Sequence, residues 1–112
     1  MSRLTSHVLD TSLGRPAAGV TVTLAQFQDG AWYDRATLTT DDDGRTGDFG
    51  AGGDISPATY RLRFALAEYH GGQGVTGFYP YADVVFVVRG AAEHYHVPLL
   101  VSPFGYSTYR GS

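Results

Sequence analysis

Tyr60-Arg61-Leu62-Arg63-Phe64-Ala65-Leu66 places a large apolar side chain at every second position, with arginine or alanine between. A period of two marks a strand with one face packed and the other open. The pattern extends in both directions. Upstream, Leu4 to Leu9 reads as a first strand, and Val20, Val22 and Leu24 alternate with Thr21, Thr23 and Ala25 in a second. Between them, 10–16 is a turn-rich loop. Gln28-Asp29-Gly30 is a hairpin turn leading into a strand from Trp32 to Leu38. Asp41-Asp42-Asp43-Gly44 is a second tight turn, directly before Arg45. Residues 47–57 are irregular, with room for one very short strand near Phe49.

Downstream, 67–72 holds one helical turn, the only helix expected, with His70 on the surface. Val84 to Val88 is apolar throughout, as for a strand covered on both faces. His94 to Val101 and Tyr106 to Arg110 are the last two strands, joined by Ser102-Pro103-Phe104-Gly105. Seven or eight short strands with short connections predict an all-β sandwich of two sheets.

The 112 residues fit one domain spanning 1–112. Charged residues are 17% and the net charge is -3, without the basic patch that nucleic-acid or anionic membrane binding needs. No apolar run approaches the roughly 20 residues of a membrane span. The stretch from Met1 to His7 lacks the apolar core of a secretory leader. There is no cysteine, which excludes disulfides and thiolate chemistry and fits a cytoplasmic location.

The chemistry-bearing residues gather near the end of the chain. His94 and His96 are two apart on a predicted strand, so they share a face at a spacing of about 7 Å. Tyr95, Val97 and Leu99 take the opposite, packed face. The strand alone is equally consistent with an exposed polar face that happens to carry histidines. If the final hairpin turns between Pro103 and Phe104, Pro98 faces Tyr109 and His96 faces Gly111. Tyr109 then joins the histidine face and Ser112 ends beside His94 and His96, whereas a slip of one residue would turn Tyr109 to the core. Arg45 offers five donors in a fixed fork, suited to a carboxylate or a polarised carbonyl; without context it reads as a solvated arginine. His7 sits mid-strand, as a partly buried histidine would. The acidic run 41–43 lacks the remaining ligands of a calcium loop and reads as a solvated turn.

With these residues in view, the chain resembles the 5-hydroxyisourate hydrolases, transthyretin-like enzymes of urate breakdown. The resemblance rests on Ser6-His7-Val8-Leu9-Asp10 with Gly14-Arg15-Pro16-Ala17, on Asp43-Gly44-Arg45, and on 94–100 followed by 105–112. The blocks lie in the same order and span essentially the whole chain. The last four residues, Tyr109-Arg110-Gly111-Ser112, are specific, because hormone-carrier transthyretins of the same fold lack them. The resemblance implies two four-stranded sheets with one short helix. It also implies a homotetramer, a dimer of dimers, with two active sites opening into a channel at the dimer–dimer interface. Its substrate contacts carry over to His7, Arg45 and Tyr109, with His94 or His96 and Ser112 completing the polar lining.

The implied reaction opens the six-membered ring of 5-hydroxyisourate to 2-oxo-4-hydroxy-4-carboxy-5-ureidoimidazoline, on the way to allantoin. Water must be made nucleophilic and a carbonyl electrophilic. A neutral imidazole from the pair His7 and His96 is the expected base. Arg45 is expected to hold the anionic substrate and the developing oxyanion, while Tyr109 and Ser112 orient substrate or water. No cofactor and no metal is expected. Two alternatives stand beside this reading. One is a zinc-dependent version of the same hydrolase, with His7, His94 and His96 as ligands. The other is a small-molecule carrier of the transthyretin type, which a polar His/Arg/Tyr lining disfavours.

Overall fold

The strands form where β-branched and aromatic residues alternate with polar ones, and they close into two stacked sheets. The computed structural model describes residues 3–90 and 93–112; Met1 and Ser2, at the head of the segment read for a leader, lie outside these. The elements are β1 (Arg3–Asp10), β2 (Arg15–Pro16), β3 (Thr21–Gln28), β4 (Ala31–Thr39), β5 (Ala58–Ala65), α1 (Leu66–Gly72), β6 (Tyr81–Val88), β7 (His94–Ser102) and β8 (Gly105–Thr108). One sheet has the order β2-β1-β7-β8 and the other β4-β3-β5-β6. The expected sandwich of two four-stranded sheets with one short helix is present.

The inward rows pack the core. Leu4 and Val8 of β1, Val22 and Leu24 of β3, Leu62 and Phe64 of β5, and Leu99 and Val101 of β7 are all essentially inaccessible. Each such side chain stabilises the fold by about 1.5–3 kcal/mol relative to exposure. The β3–β4 turn uses positive φ at Asp29 (52°) and Gly30 (82°), the backbone twist that two-residue hairpins favour. Tyr69 ties α1 to the end of β1 by donating a 2.6 Å hydrogen bond to the buried Asp10 carboxylate.

Five local expectations are corrected. Phe49 is not in a strand; it is buried in a turn whose main chain docks on β1, Phe49 N–H donating to the Leu4 carbonyl at 2.9 Å. The loop 10–16 ends in a two-residue strand, β2, paired to β1. β6 is not covered on both faces: it lies at the edge of its sheet, and Val85 and Val87 are 56% and 46% exposed. His70 is buried, not on the surface, because Gly77 packs on its ring and leaves no room for a β-carbon. The last strand stops at Thr108, short of Arg110.

Candidate active site

β1 and β7 lie side by side and parallel, and this pairing builds the site. Their register sets Arg3 against His94, Thr5 against His96, and His7 against Pro98. Paired residues in a parallel ladder point to the same face, so Arg3, Thr5 and His7 join His94 and His96 on one side of the sheet. The opposite row of β1 and β7 is held inside: the buried Ser6 hydroxyl donates to the Val97 carbonyl at 2.7 Å.

Arg45 is brought to this face by its turn. The Asp41 carboxylate accepts hydrogen bonds from the main chain of Asp43 (2.9 Å) and Arg45 (3.0 Å). Gly44, at φ 75°, lies against β1, and the Val8 N–H donates to its carbonyl at 2.8 Å. A β-carbon on Gly44 would sit 2.4 Å from the Val8 carbonyl oxygen, so this approach requires glycine. The result is a bridge between Arg45 and His7.

The C-terminal tail comes in from the other side. β7 and β8 pair Leu99 with Thr108 and Ser102 with Gly105, the register expected from a turn between Pro103 and Phe104. The ladder then breaks. Pro98 has no N–H, and its carbonyl already accepts from the Thr108 hydroxyl at 2.7 Å. Pairing resumes at Gly111, whose N–H donates to the His96 carbonyl at 2.7 Å.

A cleft of about 450 Å³ opens where these three segments meet, lined by Arg3, Thr5, Arg45, His94, His96 and Ser112 among others. That volume lies within the range of small-molecule sites, roughly 300–1,000 Å³. Four of the residues singled out in the sequence are therefore together: Arg45, His94, His96 and Ser112. The other two stand apart from the cleft wall. His7 is one row beyond the Thr5–His96 pair, with its Nε2 donating to the Asp43 carbonyl at 2.8 Å. Tyr109 is expected on the histidine face, but it lines a neighbouring groove with Val85, Val87 and Val97, with His96 on the border between the two.

His96 is the focus of the local electrostatics. Burial holds its pKa below the ordinary imidazole value, helped by His7 and Arg45 and opposed by a hydrogen bond to the Thr5 main chain. It is thus kept neutral at neutral pH, the state a proton acceptor needs. The Thr5 hydroxyl lies 2.8 Å from its Nδ1. Thr5 and Arg3 escaped the sequence reading; alternation with His7 along 3–7 was the signal that could have found them. A three-histidine metal centre is not assembled: among the described residues no three His, Cys, Asp or Glu side chains form a group able to hold a metal ion. His7 is engaged by Asp43 and His96 by Thr5 instead.

Comparison with known proteins identifies the family. Residues 4–111 match the model of the HIUase/Transthyretin family. A Caulobacter vibrioides protein named 5-hydroxyisourate hydrolase is 46% identical over 116 residues, covering 100% of both chains. The solved 5-hydroxyisourate hydrolase of Klebsiella pneumoniae is 36% identical, with a TM-score of 0.88 and 100% of both chains covered. Sea bream transthyretin in complex with thyroxine is 33% identical, with a TM-score of 0.89, covering 97% of this chain and 94% of that one. With the same sandwich, and with a family match over nearly its full length, this chain belongs to the HIUase/Transthyretin family.

Proposed function

We infer that this chain is a 5-hydroxyisourate hydrolase, opening the six-membered ring of its substrate by hydrolysis to 2-oxo-4-hydroxy-4-carboxy-5-ureidoimidazoline in the breakdown of urate towards allantoin. The observation that carries this reading is the full-length 46% identity to the Caulobacter relative of that name. The polar cleft supports it chemically.

In the mechanism we propose, His96 takes a proton from water through Nε2, the ring nitrogen that points away from Thr5. Arg45 holds the anionic substrate and stabilises the oxyanion formed as water adds to the carbonyl. The ring C–N bond then breaks, and the departing nitrogen regains the proton from His96. His94 and Ser112 contact substrate from the cleft wall. His7 stands beside Arg45 at the edge of the site, and Tyr109 closes the border with the neighbouring groove. The imidazole supplies the base directly, so no metal enters the reaction. His7 is less suited to the base role, because a carbonyl accepts from its Nε2.

The chain works as one domain and, we propose, as a cytoplasmic homotetramer, a dimer of dimers. Exposed Val85, Val87, Phe78 and Phe104 support association, since so much apolar surface is uncommon on a monomer. The carrier reading fits less well, because the cleft wall is built from arginine, histidine, threonine and serine.

The test is the ultraviolet decay of freshly prepared 5-hydroxyisourate, corrected for spontaneous decay. Acceleration proportional to enzyme concentration, unaffected by exhaustive chelation, is expected. Decay at the spontaneous rate would refute hydrolase activity, and loss of activity on chelation would refute the metal-free mechanism.

A further inference from the structure

The chain has eight arginines and no lysine. Four of the arginines are engaged by their neighbours. Arg63 pairs with Asp83 at 2.7 Å and Arg110 with Glu93 at 3.5 Å, Arg61 lies over the Trp32 ring, and Arg35 donates to Gln26 and Gln28. The guanidinium groups of Arg3 and Arg45 make no hydrogen bond, ion pair or ring contact among the described residues, and both line the polar cleft. Arg15 and Arg89 also lack such a partner, but they stand outside the cleft. No aspartate or glutamate is among the described residues of the cleft wall.

The β1–β7 register fixes where the two cations stand. Arg3 is opposite His94, and Thr5 is opposite His96, two residues and about 7 Å further along the strands. Arg45 joins beyond that, through its bridge to His7, another two residues on. His96 therefore occupies the middle row, with a cation row on either side. Asp48 is close enough to feel the charge of Arg3. Its carboxylate is already taken by the main-chain N–H groups of Leu4 (3.1 Å), Gly50 (3.0 Å) and Gly52 (3.1 Å), and it forms no ion pair with Arg3. The Arg3 side chain is left available to a ligand in the cleft.

Two cations can do different work on an anion that reacts. A group that holds substrate and transition state equally lowers KM without raising kcat, whereas a group that binds the developing charge more strongly raises kcat. We propose that Arg3 is a second substrate-binding residue, a guanidinium at the His94 end of the cleft that holds the charge the substrate already carries, so that the fork of Arg45 can turn to the oxyanion as it develops. This deepens the hydrolase reading and rests on it for the identity of the substrate. It also makes the cleft selective for planar cyclic ureides that are anionic.

The experiment compares wild type, Arg3→Gln and Arg3→Lys. Steady-state kinetics read kcat and KM for 5-hydroxyisourate. Calorimetric titration with urate, a stable planar anion of the same chemical class, reads binding without turnover. In Arg3→Gln, KM and the Kd for urate should both rise by roughly tenfold, the scale of one lost charge-assisted contact, with kcat within about threefold of wild type and Tm unchanged. Arg3→Lys keeps the charge and loses the fork, and should recover both constants to within about threefold of wild type. Wild-type KM and urate affinity in Arg3→Gln overturn the proposal. So does a fall in kcat at unchanged KM, which would place Arg3 on the transition state instead. Urate that fails to bind the wild-type protein refutes the anion site. If wild type does not accelerate 5-hydroxyisourate decay yet binds urate through Arg3, the hydrolase reading falls and the anion site stands.

Discussion

Gly111 and His96 are in contact so close that the position tolerates no side chain: an added β-carbon would lie 2.6 Å from Cδ2 of the imidazole. Gly111→Ala should therefore displace either the ring or the tail. Misplacing a catalytic group by about 1 Å can cost roughly a hundredfold in rate, so a fall in kcat/KM of that order is expected with little change in Tm. Wild-type kinetics in Gly111→Ala would show that His96 need not be held at this edge.

The pH profile follows from His96. Its folded pKa lies below the ordinary imidazole value of about 6.5. A base works when neutral, so kcat/KM should be flat through neutrality and fall only as pH drops through that lowered value. The sign for stability is the same: the unfolded chain binds this proton more readily, so the group costs stability as pH falls below about 6.5. An acid limb centred above pH 6.5 would assign it to another group.

Arg45→Ala should act twice. Losing the donor to the oxyanion should lower kcat/KM by about a hundredfold or more. Losing a positive charge that depresses the His96 pKa should also move the acid limb upward. A drop below tenfold would remove Arg45 from the chemistry; a loss with an unmoved limb would separate the two roles.

Tyr69→Phe tests the scaffold apart from the site. Its hydroxyl donates at 2.6 Å to Asp10, which also accepts from Ser12 and Leu13. Burial pushes the Asp10 pKa up, but the bonds from Ser12, Tyr69 and Leu13 outweigh it and leave the carboxyl below the usual range. The stability from this ionised group is present above its unfolded pKa of about 3.8 and is lost as pH falls through the lower folded value. Denaturant titration of Tyr69→Phe at neutral pH should show a loss of about 1.5–3 kcal/mol, typical for a hydrogen bond to a charged group, with specific activity retained.

Gly44→Ala should destabilise by more than the 1–2 kcal/mol usual for a side chain at positive φ, because the β-carbon also meets the Val8 carbonyl. Unchanged unfolding midpoints would mean that the turn can withdraw from β1 without cost.

What could be read from the sequence was what short-range rules decide. The alternation in 60–66 places Leu62 and Phe64 in the core, and the short link 102–105 sets the β7–β8 register. The failures share a cause, which is that distant neighbours decide them. Val84 to Val88 is apolar on both faces, yet nothing in that run says that β6 ends its sheet. Alternation puts Thr5 on the face of His7, but its place beside His96 follows only once β1 is laid parallel to β7, a pairing that no turn specifies. His70 reads as a surface residue until Gly77 is folded over it.

The β1–β7 pairing also says when the site comes into being. Ser6 and Val97, joined by a hydrogen bond, are 91 residues apart in the chain. Closing a loop of that length costs about 4 kcal/mol in chain entropy, and contacts of such long range are characteristic of slow-folding β proteins. A chain still emerging from the ribosome carries His7 and Arg45 long before it carries His96. It cannot complete the cleft until β7 has been made and laid beside β1.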